Sequence, residues 1–466
     1  MAAGCVAEQP LAAVPSAAPA GFEHAATAAS PAWPDQGWYR GFGSEELDTL
    51  VDFAVSHNAD LAEAGERVAQ ADARARQAGA AILPSLSADA GANYLAGHSA
   101  QGGGHELDWL AMPSASYEVD FWGKNRATAH AALLEAGASR AARATVQLTI
   151  LGAVADEYFQ VLALRERLAV ARSNLEAAQR ILEAVEARFG AGLAGPADAA
   201  LQKAARDRAQ IAVADLEQQE MQARAALALL LGRIPEDFQV RGSSLDSLSE
   251  PVVSAGLPSE LLVRRPDVAA AEANLRAASA DLTAARAALF PSLALTAAAG
   301  VQNPALPATV LTIAGAGPSL SLAANLTQPI FDHGRLRAQR DEAAAREREL
   351  LVAYRAAILA ALVDVENTLG ALQQLDATRS FQEGSLEESA RAFEGARLRY
   401  EHGAGDLLTL LEAQRILYES RDQLIQYRLA RLEALVALCK ALGGGWRASA
   451  APAESARGHG EQHAAS

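Results

Sequence analysis

The sequence predicts a mixed α+β membrane protein in which each chain gives four strands to a β-barrel and a set of long coiled-coil helices to an α-helical barrel. Three observations predict it. No proline occurs between Lys124 and Gly195, or between Ile330 and Ala451, and both stretches are crowded with the strongest helix formers. Inside them apolar residues recur every seven positions, and the two series are copies of one another 211 residues apart. Four other segments alternate apolar and polar residues with a period of two, which marks strands with one greasy face.

Residues 1–35 are rich in Ala, Pro and Ser and cannot bury a core, so they read as a leader or linker. Met1 is followed at once by Ala2-Ala3-Gly4-Cys5, without the basic and apolar runs of a signal peptide. That tetrapeptide has the form of the end of a bacterial lipobox, which makes Cys5 the expected site of acylation and the chain an expected lipoprotein carrying palmitate or a similar acyl group.

Residues 36–232 form a first repeat of helices, two strands at about 85–95 and 109–121, a long helix over 124–189 and a return helix over 196–231. Leu86, Ala88, Ala90, Ala92 and Tyr94 alternate with polar residues, and Ala115, Tyr117, Val119 and Phe121 do the same. The long helix, 66 residues from 124 to 189, would extend about 100 Å at 1.5 Å per residue. Val154, Val161, Leu168, Leu175, Leu182 and Phe189 stripe one side of it. A strict seven-residue stripe stays aligned only if the helices supercoil.

Residues 233–266 join the repeats. Residues 267–446 are the second repeat, with strands at about 291–301 and 318–328, a long helix over 335–401 and a return helix over 406–442. Its stripe is Val365, Leu372, Leu386, Phe393 and Tyr400, broken at Arg379. Gly123, Arg126 and Ala127 recur as Gly334, Arg337 and Ala338, and Leu231-Gly232 recurs as Leu442-Gly443, all at 211. Leu83-Pro84-Ser85-Leu86 recurs as Phe290-Pro291-Ser292-Leu293 at 207, so four residues were gained or lost in between. Connectors at 97–105 and 302–308 read as exposed hairpin loops, and 447–466 as a disordered tail.

Composition excludes several functions. With 40 basic against 56 acidic side chains and a net charge of −16, the chain lacks the cationic surplus that nucleic acid requires. Cys5 and Cys439 are its only cysteines and its nine histidines are scattered, so neither a disulfide framework nor a metal site is expected. No cofactor is expected, and no nucleophile or acid–base pair suggests an enzyme. Gly190-Ala-Gly-Leu-Ala-Gly195 satisfies the dinucleotide fingerprint, but it follows a long helix instead of a strand, and its repeat mate keeps only Gly403 and Gly405. A turn that ends a helix accounts for it.

No apolar run reaches the 18 or so residues of a spanning helix, so a membrane would be crossed by strands. Four strands cannot close a barrel and open edges are forbidden in lipid, so several chains must combine; three copies give twelve strands. Trp38-Tyr-Arg-Gly-Phe42, Leu261-Leu-Val-Arg-Arg-Pro-Asp-Val268, Gln328-Pro-Ile-Phe-Asp332 and Leu407-Leu-Thr-Leu-Leu-Glu-Ala-Gln414 add family-specific detail. With them the chain resembles the TolC-like outer-membrane efflux proteins, in particular the pump-associated lipoprotein (NodT-type) branch, over roughly residues 38–446.

The resemblance implies a homotrimeric exit duct in the outer-membrane lipid, extending into the periplasm. A periplasmic membrane-fusion adaptor and an inner-membrane resistance-nodulation-division pump would expel drugs or toxic solutes through it. By resemblance, Leu408 and Glu412 match the innermost constriction ring, four residues apart on one helical face. Tyr400 and Asp198 match partners that tie the two hairpins together when closed. Gly405 stands where some relatives carry a basic lock residue. A duct for type I protein secretion and a periplasmic coiled-coil adaptor are the alternative readings, and the adaptor has no use for greasy strand faces.

Overall fold

A computed structural model describes residues 21–24, 33–99, 102–253, 255–307 and 317–447. Cys5, most of the expected leader and nearly all of the expected tail lie outside the described residues. After a 3-10 turn at Trp38–Phe42 come α1 (Glu45–His57), α2 (Ala59–Ala80), β1 (Ser85–Ser99), β2 (Gly102–Val119), α3 (Lys124–Gly190) and α4 (Pro196–Leu230). The second half holds α5 (Pro258–Leu261), α6 (Pro266–Ala287), β3 (Ser292–Pro307), β4 (Gly317–Thr327), α7 (Arg335–Glu401) and α8 (Leu407–Ala441). None of the described helices is long and apolar enough to cross a membrane.

The chain divides into two compact units. Of the described residues, one unit contains those of 66–140 and 270–356 and carries the sheet; the other contains those of 16–65, 141–269 and 357–466.

In the first unit the strands form one antiparallel sheet in the order β1-β2-β3-β4. The strands are longer than the alternation suggests. Residues 97–99 and 102–105 pair with each other as strand, and β3 runs on to Pro307, so the expected loops at 97–105 and 302–308 are mostly ladder. Their Gly and polar residues have weak strand preference, and pairing across the hairpin overrides it. The alternation itself holds. Ser87 Oγ lies 2.8 Å from its cross-strand partner Ser114 Oγ, which also bonds Asp89 Oδ2 at 3.1 Å, so one face is tied by polar side chains. Leu86, Tyr94, Leu110, Leu320, Leu322 and Leu326 stay exposed. Within one chain β1 and β4 each have an unpaired edge, which lipid does not tolerate. Below the strands Trp122 stacks on Phe290 at 4.7 Å and donates to the Pro291 carbonyl at 2.8 Å.

The core of the second unit forms where the middle of α3 meets the end of α4, the end of α8 and α1. Phe42 and Phe159 meet edge to face at 4.9 Å, with Leu162, Leu227, Leu231 and Val436 fully buried around them. The seven-residue stripe explains this: Val154, its repeat mate Val365, and Val161 have no exposed surface.

The two hairpins, α3/α4 and α7/α8, carry inverted charges at matching positions. Arg165 on α3 pairs with Glu220 on α4 at 3.0 Å. The positions 211 residues on are Asp376 and Arg431, which pair with the signs exchanged. The segment joining the repeats is strapped down by the same arginines. Arg165 donates to the carbonyls of Val240 and Gly242 at 2.7 and 2.6 Å, and Arg431 reaches Glu250 at 2.8 Å.

Candidate gate at the two helix turns

All four candidate gate residues belong to the second unit, where each long helix turns into its return helix. Both turns use one device. Gly192 and Gly403 have φ of +73° and +71°, a conformation that a side chain disfavours. Each sends its N–H back three residues, to Phe189 and Tyr400, and the next residue sends its N–H to Arg188 and Arg399 at 2.8 Å. These are helix-ending Schellman turns, so the glycine run at 190–195 is a cap and not a nucleotide loop.

The return helices start by two versions of one cap. Asp406 precedes α8 and accepts from the Thr409 N–H and hydroxyl, both at 2.8 Å. The Thr409 N–H in particular holds the Asp406 carboxyl below the usual carboxylate range. At the matching place in α4 stands Gly195, and Asp198, three residues on, reaches back to the Gly195 N–H at 3.0 Å. In a single chain Asp198 therefore serves its own helix start and not Tyr400.

Tyr400 is buried to 9% exposure among Val185, Leu407 and Leu410. Its ring lies 4.8 Å under the guanidinium of Arg188, which also donates to the Tyr400 carbonyl at 3.3 Å. Arg188 thus ties α3 to α7. The sequence reading passed it over, although Arg399 marks the same place in the other repeat.

Leu408 and Glu412 share an exposed face of α8, and Leu408 is 64% exposed while Leu407 and Leu410 beside it are buried. The Glu412 carboxylate is held by Arg415, with Nε 3.0 Å from Oε2, and Arg415 extends on to Glu419 at 2.6 Å. Hydrogen bonding to Arg415 keeps the Glu412 carboxyl below the usual range. Arg415 also escaped the sequence reading; its spacing of three from Glu412 was the available signal. At Gly405 a Cβ would sit 3.1 Å from Arg399 Cβ and 3.2 Å from the Tyr400 N, so the turn is packed tightly against the end of α7.

The family model described as "Outer membrane efflux protein" matches residues 50–233 and 257–444. The two matches are offset by 207 at their starts (257 less 50) and by 211 at their ends (444 less 233), the offsets of the internal repeat. The chain is 45% identical over 442 residues to the pyoverdine export outer membrane protein OpmQ of Pseudomonas aeruginosa, covering 92% of each. It is 31% identical over 424 residues to the cation efflux system protein CusC of Escherichia coli, covering 89% of each. Among solved structures, the open state of the Neisseria gonorrhoeae MtrE outer membrane channel superposes with a TM-score of 0.81 at 33% identity, covering 91% of this chain and 95% of that one.

Proposed function

We propose a specific role for this chain within the outer membrane efflux protein family, to which it belongs. It is the outer-membrane channel of a tripartite efflux system, its strands contributing to a shared barrel and its hairpins to a helical barrel. The single observation that carries this is the four-stranded sheet with two open edges and an exposed apolar face, which only further copies and lipid can complete.

Beyond that, we take the duct to be anchored through an acylated Cys5 and to work with a resistance-nodulation-division pump and its membrane-fusion adaptor. Greater similarity to the pyoverdine export protein than to the cation efflux protein favours a cargo of the pyoverdine kind over a bare cation. Leu408 and Glu412 form the narrowest ring of the closed tip, supported by their exposure on one face of α8 beside a buried one. Tyr400 holds that tip through Arg188, and Asp198 shapes the adjoining helix start.

Detergent-extracted protein should have the mass of three chains and conduct ions across planar bilayers. A water-soluble monomer without conductance would refute the channel. Mass spectrometry of protein expressed from an upstream in-frame start should find acyl chains on Cys5, and a mature N-terminus elsewhere would refute the anchor.

A further inference from the structure

The two places where a strand runs into a long helix are copies of one another, and they treat the same cations differently. Gly123, Lys124 and Arg126 open α3, and Gly334, Arg335 and Arg337 stand at the matching positions of α7. At the start of α3 both cations are taken. Lys124 Nζ lies 2.5 Å from Glu118, and Arg126 donates through Nε to the Asp120 carboxylate at 3.2 Å and through Nη2 to the Asp120 carbonyl at 2.9 Å.

At the start of α7 the acids are gone. Asp120 recurs as Asp332 at an offset of 212 (332 less 120) instead of 211, so the second junction is one residue shorter. The shorter turn holds His333 at a φ of +53°, and it brings the Asp332 carboxylate onto backbone, where its two oxygens accept from the Gly334 and Leu336 N–H groups, both at 3.0 Å. The helix start is therefore capped already, and Arg337 gains no carboxylate. The place of Glu118 falls on Pro329 or Ile330, so Arg335 has lost its acid too. Asp332 acts on Arg335 only through space, and the one side-chain bond of Arg335 is to Gln339 at 3.3 Å. Arg337 has no hydrogen bond or ion pair among the described residues, and both arginines are exposed.

These free cations adjoin apolar surface in a particular order. Leu322 and Leu326 are exposed on β4, Ile330 and Phe331 just past its end are 97% and 79% exposed, and Arg335 and Arg337 follow in the first turn of α7. A bilayer presents acyl chains, interface and phosphate in that same order. A guanidinium matches the geometry of a phosphate, and a soluble anion would have no use for the exposed Ile330 and Phe331 beside it.

We propose that Arg335 and Arg337 bind the phosphate of an anionic phospholipid in the leaflet nearer the helices, with Ile330 and Phe331 against its acyl chains. The inference rests on the reading of the sheet as part of a barrel in lipid.

Native mass spectrometry of the detergent-extracted full chain, titrated with phosphatidylglycerol or with phosphatidylcholine of the same acyl chains, counts the lipids held. Phosphatidylglycerol should bind at up to one per chain and more tightly than phosphatidylcholine. Arg335→Gln with Arg337→Gln should weaken it about thirtyfold, the weight of two cations at a bilayer surface, and Arg335→Lys with Arg337→Lys should restore most of it. Arg348→Gln makes the same charge change further along α7 and should leave binding within about twofold. Inorganic phosphate at the lipid's concentration should displace nothing. Equal binding of the two lipids, displacement by inorganic phosphate, or an equal loss in Arg348→Gln would overturn the proposal. So would dissociation of the trimer in the double Gln variant, which would make these arginines contacts between copies. The channel reading fails separately, if the parent protein forms no trimer and conducts no ions in bilayers of phosphatidylcholine alone.

Discussion

Arg188 lies 4.8 Å above the ring of Tyr400 and donates to that residue's own carbonyl, so one guanidinium grips both the side chain and the backbone at the end of α7. A cation over an aromatic face is worth about 0.5–1 kcal/mol at a partly exposed site. Arg188→Ala should therefore loosen the tip and raise single-channel conductance. Tyr400→Phe keeps the ring and the carbonyl, and it should stay within about twofold of the parent. Tyr400→Ala removes the ring and the packing on Val185 and Leu410, and it should open the channel more than Arg188→Ala does. Planar-bilayer recordings of the three variants decide it, and a large effect of Tyr400→Phe would shift the weight to the hydroxyl.

Glu412 is not a bare carboxylate, because Arg415 forks onto it. Arg415 stabilises the ionised form, so Glu412 keeps its charge to lower pH than an isolated carboxyl does. Arg415→Gln should have two effects. Cation selectivity rises at neutral pH, since the carboxylates of the proposed ring lose their counter-ions, and the pH at which selectivity is lost on acidification moves upward. Glu412→Gln should lower selectivity and abolish that pH dependence. Reversal potentials measured across a salt gradient from pH 7 to pH 4 test both.

What could be read in advance was whatever repeats. The seven-residue stripe, the two-residue alternation and the 211-residue offset are periodic, and periodic signals survive without knowledge of tertiary contacts. Both long helices and the identity of the four strands were legible for that reason. Strand ends were not, because Gly97 or Asn303 enters the ladder only through its partner across the hairpin. At the candidate gate Leu408 and Glu412 could be placed on one face from spacing alone. The partners could not, since Arg188 meets Tyr400 across 212 positions and nothing local in the sequence joins them. The role of Asp198 was hidden differently: a carboxylate in a first helical turn can cap its own helix or reach outward, and only the geometry chooses.

Asp156, on α3, is a charge in an unfavourable place. Its Oδ1 is buried without a hydrogen-bond partner among the described residues, and burial, opposed by Lys440 and reinforced by Glu433 and Glu157, pushes its carboxyl up to about 7. The unfolded chain titrates that group near 3.8. Below that value both states carry the proton and nothing is lost. Between the two values the folded state alone holds the proton, so stability falls steadily as pH rises, and above about 7 the full penalty persists. Asp156→Asn should raise the melting temperature clearly at pH 8 and hardly at pH 4. Thermal unfolding of the detergent-solubilised protein at the two pH values checks it, and an equal shift at both would point to packing instead of charge.

The chain leaves α8 through three consecutive glycines, Gly443, Gly444 and Gly445, all with positive φ. At Gly443 and at Gly445 a Cβ would fall 2.1 Å from backbone. A Cβ on Gly443 would fall 2.1 Å from the Arg264 carbonyl oxygen, and backbone cannot step aside as a flexible side chain can. Beside that carbonyl, Arg265 binds both oxygens of Asp267 and also reaches Asp364 at 3.0 Å, so the segment that would have to move is pinned. Gly443→Ala thus combines a strained φ, worth about 1–3 kcal/mol, with a backbone clash. It should lower the melting temperature more than Gly384→Ala, a mid-helix site where a Cβ meets nothing and Ala favours the helix. If the two variants melt alike, the contact with Arg264 is not what requires glycine at the end of α8.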